Sequence, residues 1–196
     1  MRPQRVKPLQ LILASSSPRR LLLLQQIGIL PAKIVSPDID ETPARDELPR
    51  GYAARMAAAK AAAVPSADHL VLAADTVVAA GRRILPKAET AEQVRACLTL
   101  LSGRRHRVMT AVTLASPDGR AVSRLVESVV TFNRLTEPQI ERYLATGEGE
   151  GKAGGYAING EAASFIRFLS GSHSAVVGLP LFETAQLLRS HGWRIP

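Results

Sequence analysis

The sequence predicts an α/β or α+β fold built on a central mixed sheet, because segments typical of strands, helices and hairpins alternate along its 196 residues. Three observations support this prediction. An apolar run leads directly into a helix start near residue 17, two later helices carry capping signals, and two alternating segments between them are typical of paired strands. No repeat, low-complexity tract or linker divides the chain, so we expect one domain over residues 1–196.

The chain opens with a predicted strand and helix. Leu9–Ala14 is an apolar run of strand length, and Ser17 is a residue type that N-caps favour, with a proline at the first helical position. The helix is expected to end near Gly28. A second strand over 32–35 and a polar, proline-containing loop over 36–49 are predicted next.

An alanine-rich helix is predicted over Arg50–Val64. Tyr52, Met56 and Lys60 are spaced four residues apart, so they fall on one stripe of this helix. Lys60 therefore shares a face with apolar residues.

A short apolar strand is predicted over Leu70–Ala74, with Asp75 at its end. Val77–Ala80 and the basic turn 81–83 indicate a hairpin. The capping pairs Thr90 with Gln93, and Thr136 with Gln139, each predict a helix start. Further predictions are strands over Arg107–Ala115 and Val122–Asn133, joined by the turn 116–119, and a last helix over about Pro180–His191.

The composition favours an anionic partner. Lys and Arg number 25 against 17 Asp and Glu, a formal net charge of +8, which suits nucleotides, nucleic acid or an acidic membrane surface. Aromatic residues are only 4% and no nucleic-acid reader module is present, so no stable nucleic-acid complex is expected. No apolar run is long enough for a membrane span, and the single cysteine excludes an intramolecular disulfide. We expect a cytoplasmic protein without a membrane partner.

The turn Ser15–Arg20 has the chemistry of an anion cradle. Free backbone N–H groups at a helix start, three hydroxyls and two guanidiniums can all bind phosphate oxygens. A capped surface helix with solvated arginines is the alternative that the local pattern leaves open.

Three lysines and two carboxylates are the other candidates. Lys60 lies on an apolar stripe, Lys87 follows Ile-Leu-Pro, and Lys152 lies in a glycine-rich run that lacks the spacing of a P-loop. Asp75 and Glu41 are the carboxylates best suited to a hard metal ion or a general base, since Mg²⁺ takes one or two carboxylates together with waters and phosphate oxygens. A turn or cap role for Asp75 is the alternative.

Seven sequence blocks, in order, resemble the Maf family of nucleoside triphosphate pyrophosphatases. They are residues 13–20 (LASSSPRR), 55–61 (RMAAAKA), 74–77 (ADTV), 85–87 (LPK), 101–106 (LSGRRH), 151–156 (GKAGGY) and 177–181 (VGLPL). The resemblance implies hydrolysis of the bond between the α- and β-phosphates, with a divalent cation, Mg²⁺ or Mn²⁺. It also implies a Maf/ITPase-like α/β fold whose two lobes enclose an active cleft, and a possible homodimer.

The resemblance assigns expected roles to individual positions. Asp75 matches the catalytic proton acceptor, and Glu41 together with Asp75 matches the metal site. Substrate-binding positions correspond to Ser15, Arg20, Lys60 and Lys87.

Three further positions correspond to residues that distinguish the branches of the family. Arg19 and Thr76 resemble the branch that acts on dTTP and UTP. Asn159 departs from the glutamine of that branch, which shortens the amide by one methylene and puts base discrimination in question. The alternatives are a pyrophosphatase directed at 7-methyl-GTP or another purine nucleotide, and a nucleic-acid-binding regulator of septum formation or division.

Overall fold

The computed structural model describes residues 10–65, 68–193 and 195, so the predicted strand residue Leu9 lies outside the described part of the chain. A seven-stranded sheet forms its centre, and a separate two-stranded sheet lies beside it. The strands are β1 (Gln10–Ala14), β2 (Lys33–Val35), β3 (His69–Ala80), β4 (Arg83–Leu85), β5 (Lys87–Ala88), β6 (Arg105–Ala115), β7 (Ala121–Phe132), β8 (Lys152–Ala153) and β9 (Ile166–Ser170).

Helices flank the sheet. They are α1 (Pro18–Gln26), α2 (Pro49–Ala62), α3 (Ala91–Leu101), α4 (Glu137–Ala145), α5 (His173–Val177) and α6 (Leu181–Ser190), with a 3-10 helix at Glu161–Phe165. Five of them, α1, α2, α3, α4 and α6, were predicted from the sequence. No helix in the described ranges combines the length and the apolarity that a membrane crossing requires.

The central sheet is mixed, with the strand order β2-β1-β3-β6-β7-β9 and β4 paired to β3. β1 runs parallel to β2 and β3, whereas β3, β6, β7 and β9 pair antiparallel in turn. The predicted mixed α/β sheet is therefore confirmed. The predicted hairpin turn is also present, since Ser116 N donates to Arg120 O at 2.9 Å between β6 and β7.

The two faces of β3 pack against different layers, because successive side chains of a strand point to opposite faces. Val77 packs with Ala53 and Ala57 of α2, together with residues of β6. Val78 belongs instead to the main core, which contains residues of α1, α3, α4 and α6. Helices therefore cover both faces of the sheet, and neighbouring residues of β3 pack into different hydrophobic clusters.

The predicted end of the third strand at Asp75 is wrong. β3 continues for 12 residues, and Asp75 lies opposite Ala111 of β6 in the middle of the ladder, followed by Thr76 opposite Thr110. Polar residues interrupt the apolar run in the sequence, but the long antiparallel partner satisfies the backbone on one side throughout. The alternative of a turn or helix-cap role for Asp75 is thereby excluded.

Several short elements were not predicted from the sequence. β5 and β8 contribute two residues each, which is too short for any periodic signal. The edge strand β9 and the five-residue helix α5 were also missed. The small β5–β8 sheet contributes Lys87, Lys152 and Ala153 to the lining of the cavity described below.

Candidate active site

The candidate site lies where two neighbouring strands of the central sheet separate. β1 pairs with β3 only as far as the couple Ala14 and Ala73, and β4 joins β3 from Val78 onward. Among the described strands, none pairs with residues 74–77 on the edge of β3 that β1 leaves. The Ser15–Arg20 turn and Asp75 both reach this opening, which is the kind of crevice beyond strand ends where α/β proteins bind ligands.

Hydrogen bonds fix the Ser15–Arg20 turn. Ser15 Oγ accepts from Ser17 N at 3.1 Å and from Arg20 Nη1 at 3.0 Å, while Arg20 Nε donates to Gly178 O at 2.9 Å. Ser17 occupies the predicted N-cap position but makes no capping bond with its own side chain. Burial lowers the pKa of Arg20, and the nearby Asp75 carboxylate acts in the opposite direction. The hydrogen bonds to Ser15 Oγ and Gly178 O fix the position of the Arg20 guanidinium at the cleft.

Lys60 and Asp75 form a buried ion pair. Lys60 reaches inward from α2, on the stripe predicted from its spacing, and its Nζ lies 2.6 Å from Asp75 Oδ1. Each side chain is only 7% exposed. Burying either charge alone would be strongly unfavourable, so the two groups require each other.

Glu41 extends this pair into a chain of alternating charges. Its Oε1 lies 2.7 Å from Lys60 Nζ, and its Oε2 lies 2.6 Å from Lys87 Nζ. Partial burial raises the pKa of Glu41, but the hydrogen bonds from Lys60 and Lys87 outweigh it and bring the pKa to about 2. Glu41 is therefore ionised at neutral pH.

The loop that carries Glu41 is tied to α2. Tyr52 donates its hydroxyl hydrogen to Glu41 O at 2.7 Å, and Arg55 Nη2 donates to Thr42 O at 3.1 Å. Arg55 also pairs with Glu47 at 2.6 Å. These contacts hold a segment without regular secondary structure against α2. The backbone of Glu41 is therefore fixed by Tyr52, while its carboxylate is fixed by Lys60 and Lys87.

The Ser15–Arg20 turn, Glu41, Lys60, Asp75 and Lys87 line one open cavity. Its charged lining consists of five cations, Arg19, Arg20, Lys60, Lys87 and Lys152, and two carboxylates, Glu41 and Asp75. The uncharged residues of the lining are three serines, two prolines, a threonine, a glycine and an alanine, at positions 15, 16, 17, 18, 37, 76, 151 and 153. The excess of cations suits a polyanion such as a polyphosphate chain.

The two carboxylates also suit a hard divalent cation. The described residues contain no cluster of three or more His, Cys, Asp or Glu side chains that would form an all-protein metal cage. Mg²⁺ does not need such a cage, since it keeps waters and takes one or two carboxylates together with phosphate oxygens. Glu41 and Asp75 supply that donor set at the wall of the cationic cavity.

A second, smaller cavity adjoins the first. Arg19, Thr76 and Asn159 all line it, as do apolar side chains of Val78, Val108, Tyr156, Ile158, Val176 and Val177. Four residues line both cavities, namely Arg19, Thr76, Lys152 and Ala153. An apolar pocket that opens into a cationic one matches a molecule with a flat, weakly polar ring attached to a phosphate chain.

The match to known proteins agrees with this geometry. The family model described as Maf-like protein matches residues 10–191, nearly the whole chain. The chain belongs to the Maf family. A dTTP/UTP pyrophosphatase of Rhodospirillum rubrum is 60% identical to this Maf protein, over 94% of the chain and 89% of the relative. A dTTP/UTP pyrophosphatase of Granulibacter bethesdensis is 57% identical, over 94% of each protein.

The fold of this Maf protein also resembles a solved structure of distant sequence. A HAM1 protein from Coxiella burnetii superposes with a TM-score of 0.51 over 93% of this chain and 99% of that chain, at 15% sequence identity. At this identity the likeness concerns the fold alone. It confirms the predicted Maf/ITPase-like α/β fold.

All the site residues expected in this Maf protein lie around the two cavities. The first cavity brings together Ser15, Arg20, Glu41, Lys60, Asp75 and Lys87, and Asn159 lies in the second. The apolar walls of the second cavity and the Gly178 carbonyl that holds Arg20 were missed. The block 177–181 resembles the family but carries no predicted role, and its contact with Arg20 forms only in the folded chain.

Proposed function

We propose that the protein is a nucleoside triphosphate pyrophosphatase that hydrolyses dTTP and UTP to the nucleoside monophosphate and pyrophosphate. The observation that carries this proposal is the junction of the two cavities at Arg19 and Thr76. A triphosphate suits the cationic cavity, and a pyrimidine base suits the smaller apolar one. The names of the relatives, dTTP/UTP pyrophosphatases at 57% and 60% identity, support the same reaction.

The substrate-binding side chains of the proposal are Ser15, Arg20, Lys60 and Lys87. Arg20 can bind phosphate oxygens with a guanidinium fixed by Ser15 and by the Gly178 carbonyl. Lys60 and Lys87 both form ion pairs with Glu41. Each ammonium group can also bind a phosphate oxygen of the triphosphate while it keeps its contact with Glu41. The crowded cations stabilise negative charge that develops on the pyrophosphate leaving group.

Asp75 is the proposed catalytic residue. It accepts a proton from a water molecule that attacks the α-phosphorus, the bond between the α-phosphorus and the bridging oxygen breaks, and pyrophosphate leaves with the bonding electron pair. Lys60 holds the Asp75 carboxylate in the buried position from which it reaches the cleft. Since Asp75 sits in mid-strand, the backbone on which this geometry depends is anchored by the β6 ladder.

Glu41 and Asp75 are the residues proposed to hold a divalent cation, Mg²⁺ or Mn²⁺. When bound, such a cation neutralises phosphate charge and polarises the phosphoryl oxygens. The two carboxylates approach the same ammonium group, Lys60 Nζ, which places them on one wall of the cavity. The Tyr52 and Arg55 contacts keep Glu41 on that wall.

Arg19, Thr76 and Asn159 are the residues proposed to select the base. All three line the apolar cavity, and Asn159 offers an amide that can both donate to and accept from a pyrimidine edge. Thr76 is fixed by a hydrogen bond between its Oγ1 and Thr110 Oγ1, at 3.1 Å, in which Thr76 donates because the Thr110 hydroxyl donates to Ala175 O at 2.6 Å. A free nucleotide pool as substrate also agrees with the cytoplasmic location that we propose for the protein.

The proposed function is tested by product analysis with dTTP, UTP, CTP, ITP and 7-methyl-GTP, each with Mg²⁺ and with Mn²⁺. We expect pyrophosphate as the first product and the highest kcat/KM for dTTP and UTP. Asp75→Asn should lower kcat by about 10² to 10⁴-fold while dTTP still binds. Asp38→Asn is the matched control, since it removes the same charge from an exposed position of the Glu41 loop. Orthophosphate as the first product, or a preference for 7-methyl-GTP, would overturn the proposal.

A further inference from the structure

Lys152 stands at the boundary between the two cavities. It is the lysine among the four residues that line both, alongside Arg19, Thr76 and Ala153. In the proposed binding mode, the base occupies the apolar cavity and the β- and γ-phosphates lie in the cationic cavity. The sugar and the α-phosphate connect these two parts, so they lie at the boundary between the cavities. A cation at this point is placed to meet the phosphate that is attacked.

The charge of Lys152 is available for a ligand. Among the described residues, Lys60 and Lys87 pair with carboxylates, whereas no carboxylate lies within 4.0 Å of Lys152 Nζ. Its Nζ donates instead to Glu150 O of its own turn, at 2.9 Å. Burial lowers the pKa of Lys152, the positive charge of Arg19 acts in the same direction, and the more distant negative charge of Glu148 acts against them. An anionic ligand between Arg19 and Lys152 would relieve this repulsion.

The turn that carries Lys152 is preformed. β8 pairs with β5, which places Ala153 opposite Lys87, and Gly151 N donates to Ala88 O at 2.7 Å. Gly154 has a φ of +69°, and a Cβ there would lie 2.8 Å from a methyl group of Val78, so only glycine fits this close approach to β3. The position of Lys152 over the boundary is therefore built into the fold.

We propose that Lys152 binds the α-phosphate of the nucleotide, in the triphosphate substrate and in the monophosphate product, an inference that rests on the proposed function. This contact involves no base atom. It therefore strengthens binding of every nucleotide that fits the apolar cavity. The contact also persists after pyrophosphate has left, because the α-phosphate remains in the monophosphate product.

The test separates the phosphates by using the two products as ligands. Binding of dTMP, pyrophosphate and thymidine is measured by isothermal titration calorimetry for the wild-type protein, Lys152→Met, Lys152→Arg and Lys33→Met. Lys33 is an exposed lysine of β2 that lines neither cavity, so its variant controls for the loss of one positive charge. None of these measurements requires turnover.

We expect Lys152→Met to weaken dTMP binding about tenfold, the loss of one charge-assisted hydrogen bond. Affinity for pyrophosphate and thymidine should change by less than about twofold. Lys152→Arg should retain most of the dTMP affinity, and Lys33→Met should behave as wild type. In steady-state assays, kcat/KM should fall by the same factor for dTTP and UTP, since the contact does not involve the base.

Unchanged dTMP affinity in Lys152→Met would overturn the contact, as would an equal loss for pyrophosphate or thymidine. If the wild-type protein binds neither dTMP nor dTTP, the proposed function fails with it. If the wild type binds dTMP and releases pyrophosphate from dTTP while Lys152→Met is unaffected, only the Lys152 contact fails.

Discussion

Lys60 Nζ lies 2.6 Å from Asp75 Oδ1, in a pair whose two side chains are each only 7% exposed. The same ammonium lies 2.7 Å from Glu41 Oε1. One lysine thus links the proposed catalytic carboxylate with the carboxylate proposed to hold the metal ion. The proposed chemistry depends on this shared cation, because it brings the two acidic groups together in a cavity otherwise lined by positive charge.

Removal of Lys60 should destabilise the fold as well as abolish activity. Lys60→Met leaves a buried carboxylate without its partner, which we expect to lower the free energy of unfolding by about 3–5 kcal/mol. The double variant Lys60→Met/Asp75→Asn should recover part of that loss, because it removes the uncompensated charge. Urea denaturation of both variants measures the effect. If Lys60→Met lowers the free energy of unfolding by less than about 1 kcal/mol, Asp75 does not need the Lys60 charge to remain buried, and the prediction is wrong.

Acid should weaken the anchoring of the Glu41 loop. The lysine contacts lower the pKa of Glu41 from 4.5 to about 2, so its contribution to stability is fully present above pH 4.5 and is lost as the pH falls towards 2. The side chain is 35% exposed, and solvent screening limits this contribution to about 1 kcal/mol.

Glu41→Gln provides the comparison for this titration. Its free energy of unfolding, measured by urea denaturation between pH 5 and 2, should fall less than that of the wild type over the same range. Asp38→Asn is the control, at an exposed position in the same loop. Parallel pH profiles for wild type and Glu41→Gln would contradict the assignment of the low pKa to Glu41.

Asn159→Gln should improve the pyrimidine reaction. The longer side chain extends the reach of the amide by about 1.5 Å, so that a direct hydrogen bond to the base can replace one mediated by water. We expect kcat/KM for dTTP and UTP to rise about fivefold, the effect of roughly 1 kcal/mol. Asn133→Gln, at an exposed position outside both cavities, serves as the control. Equal changes for dTTP and 7-methyl-GTP would argue against base selection by residue 159.

Tyr143 should position the segment that presents Asn159. Its hydroxyl accepts a hydrogen bond from Ala157 N at 3.1 Å, and its buried ring packs edge-on against Phe165. Tyr143→Phe should raise KM for dTTP several-fold with kcat nearly unchanged, because the proposed catalytic groups lie in the other cavity. Steady-state kinetics with dTTP measures this split. A fall in kcat at constant KM would contradict a positioning role.

Some of this site could be predicted from the sequence alone. The spacing of Tyr52, Met56 and Lys60 on α2 predicted a lysine on an apolar face, and the strand, turn and helix around Ser15–Arg20 predicted an anion cradle. The sequence pattern also predicted Asp75 and Glu41 as carboxylates for a metal ion or a general base. The resemblance to the Maf family then assigned their individual roles and supplied the base-selecting positions. Local periodicity sufficed for the first two features because each lies within one helix or one turn.

The remaining features depend on contacts between distant segments. The length of β3 was missed because its pairing with β6, and not its own apolar run, carries the strand past Asp75. The apolar cavity joins residues of β3 and β6 with 156–159 and 176–177, which meet only in the folded chain. Likewise, the Gly178 carbonyl reaches Arg20 across 158 residues of sequence. No pattern within a single segment encodes such a contact.

The most direct test of the central claim follows the oxygen of the attacking water. Hydrolysis of dTTP in water enriched in ¹⁸O, with Mg²⁺, is analysed by mass spectrometry of both products. Attack at the α-phosphorus predicts one ¹⁸O atom in dTMP and none in pyrophosphate. Label in pyrophosphate, or release of labelled orthophosphate, would contradict the account.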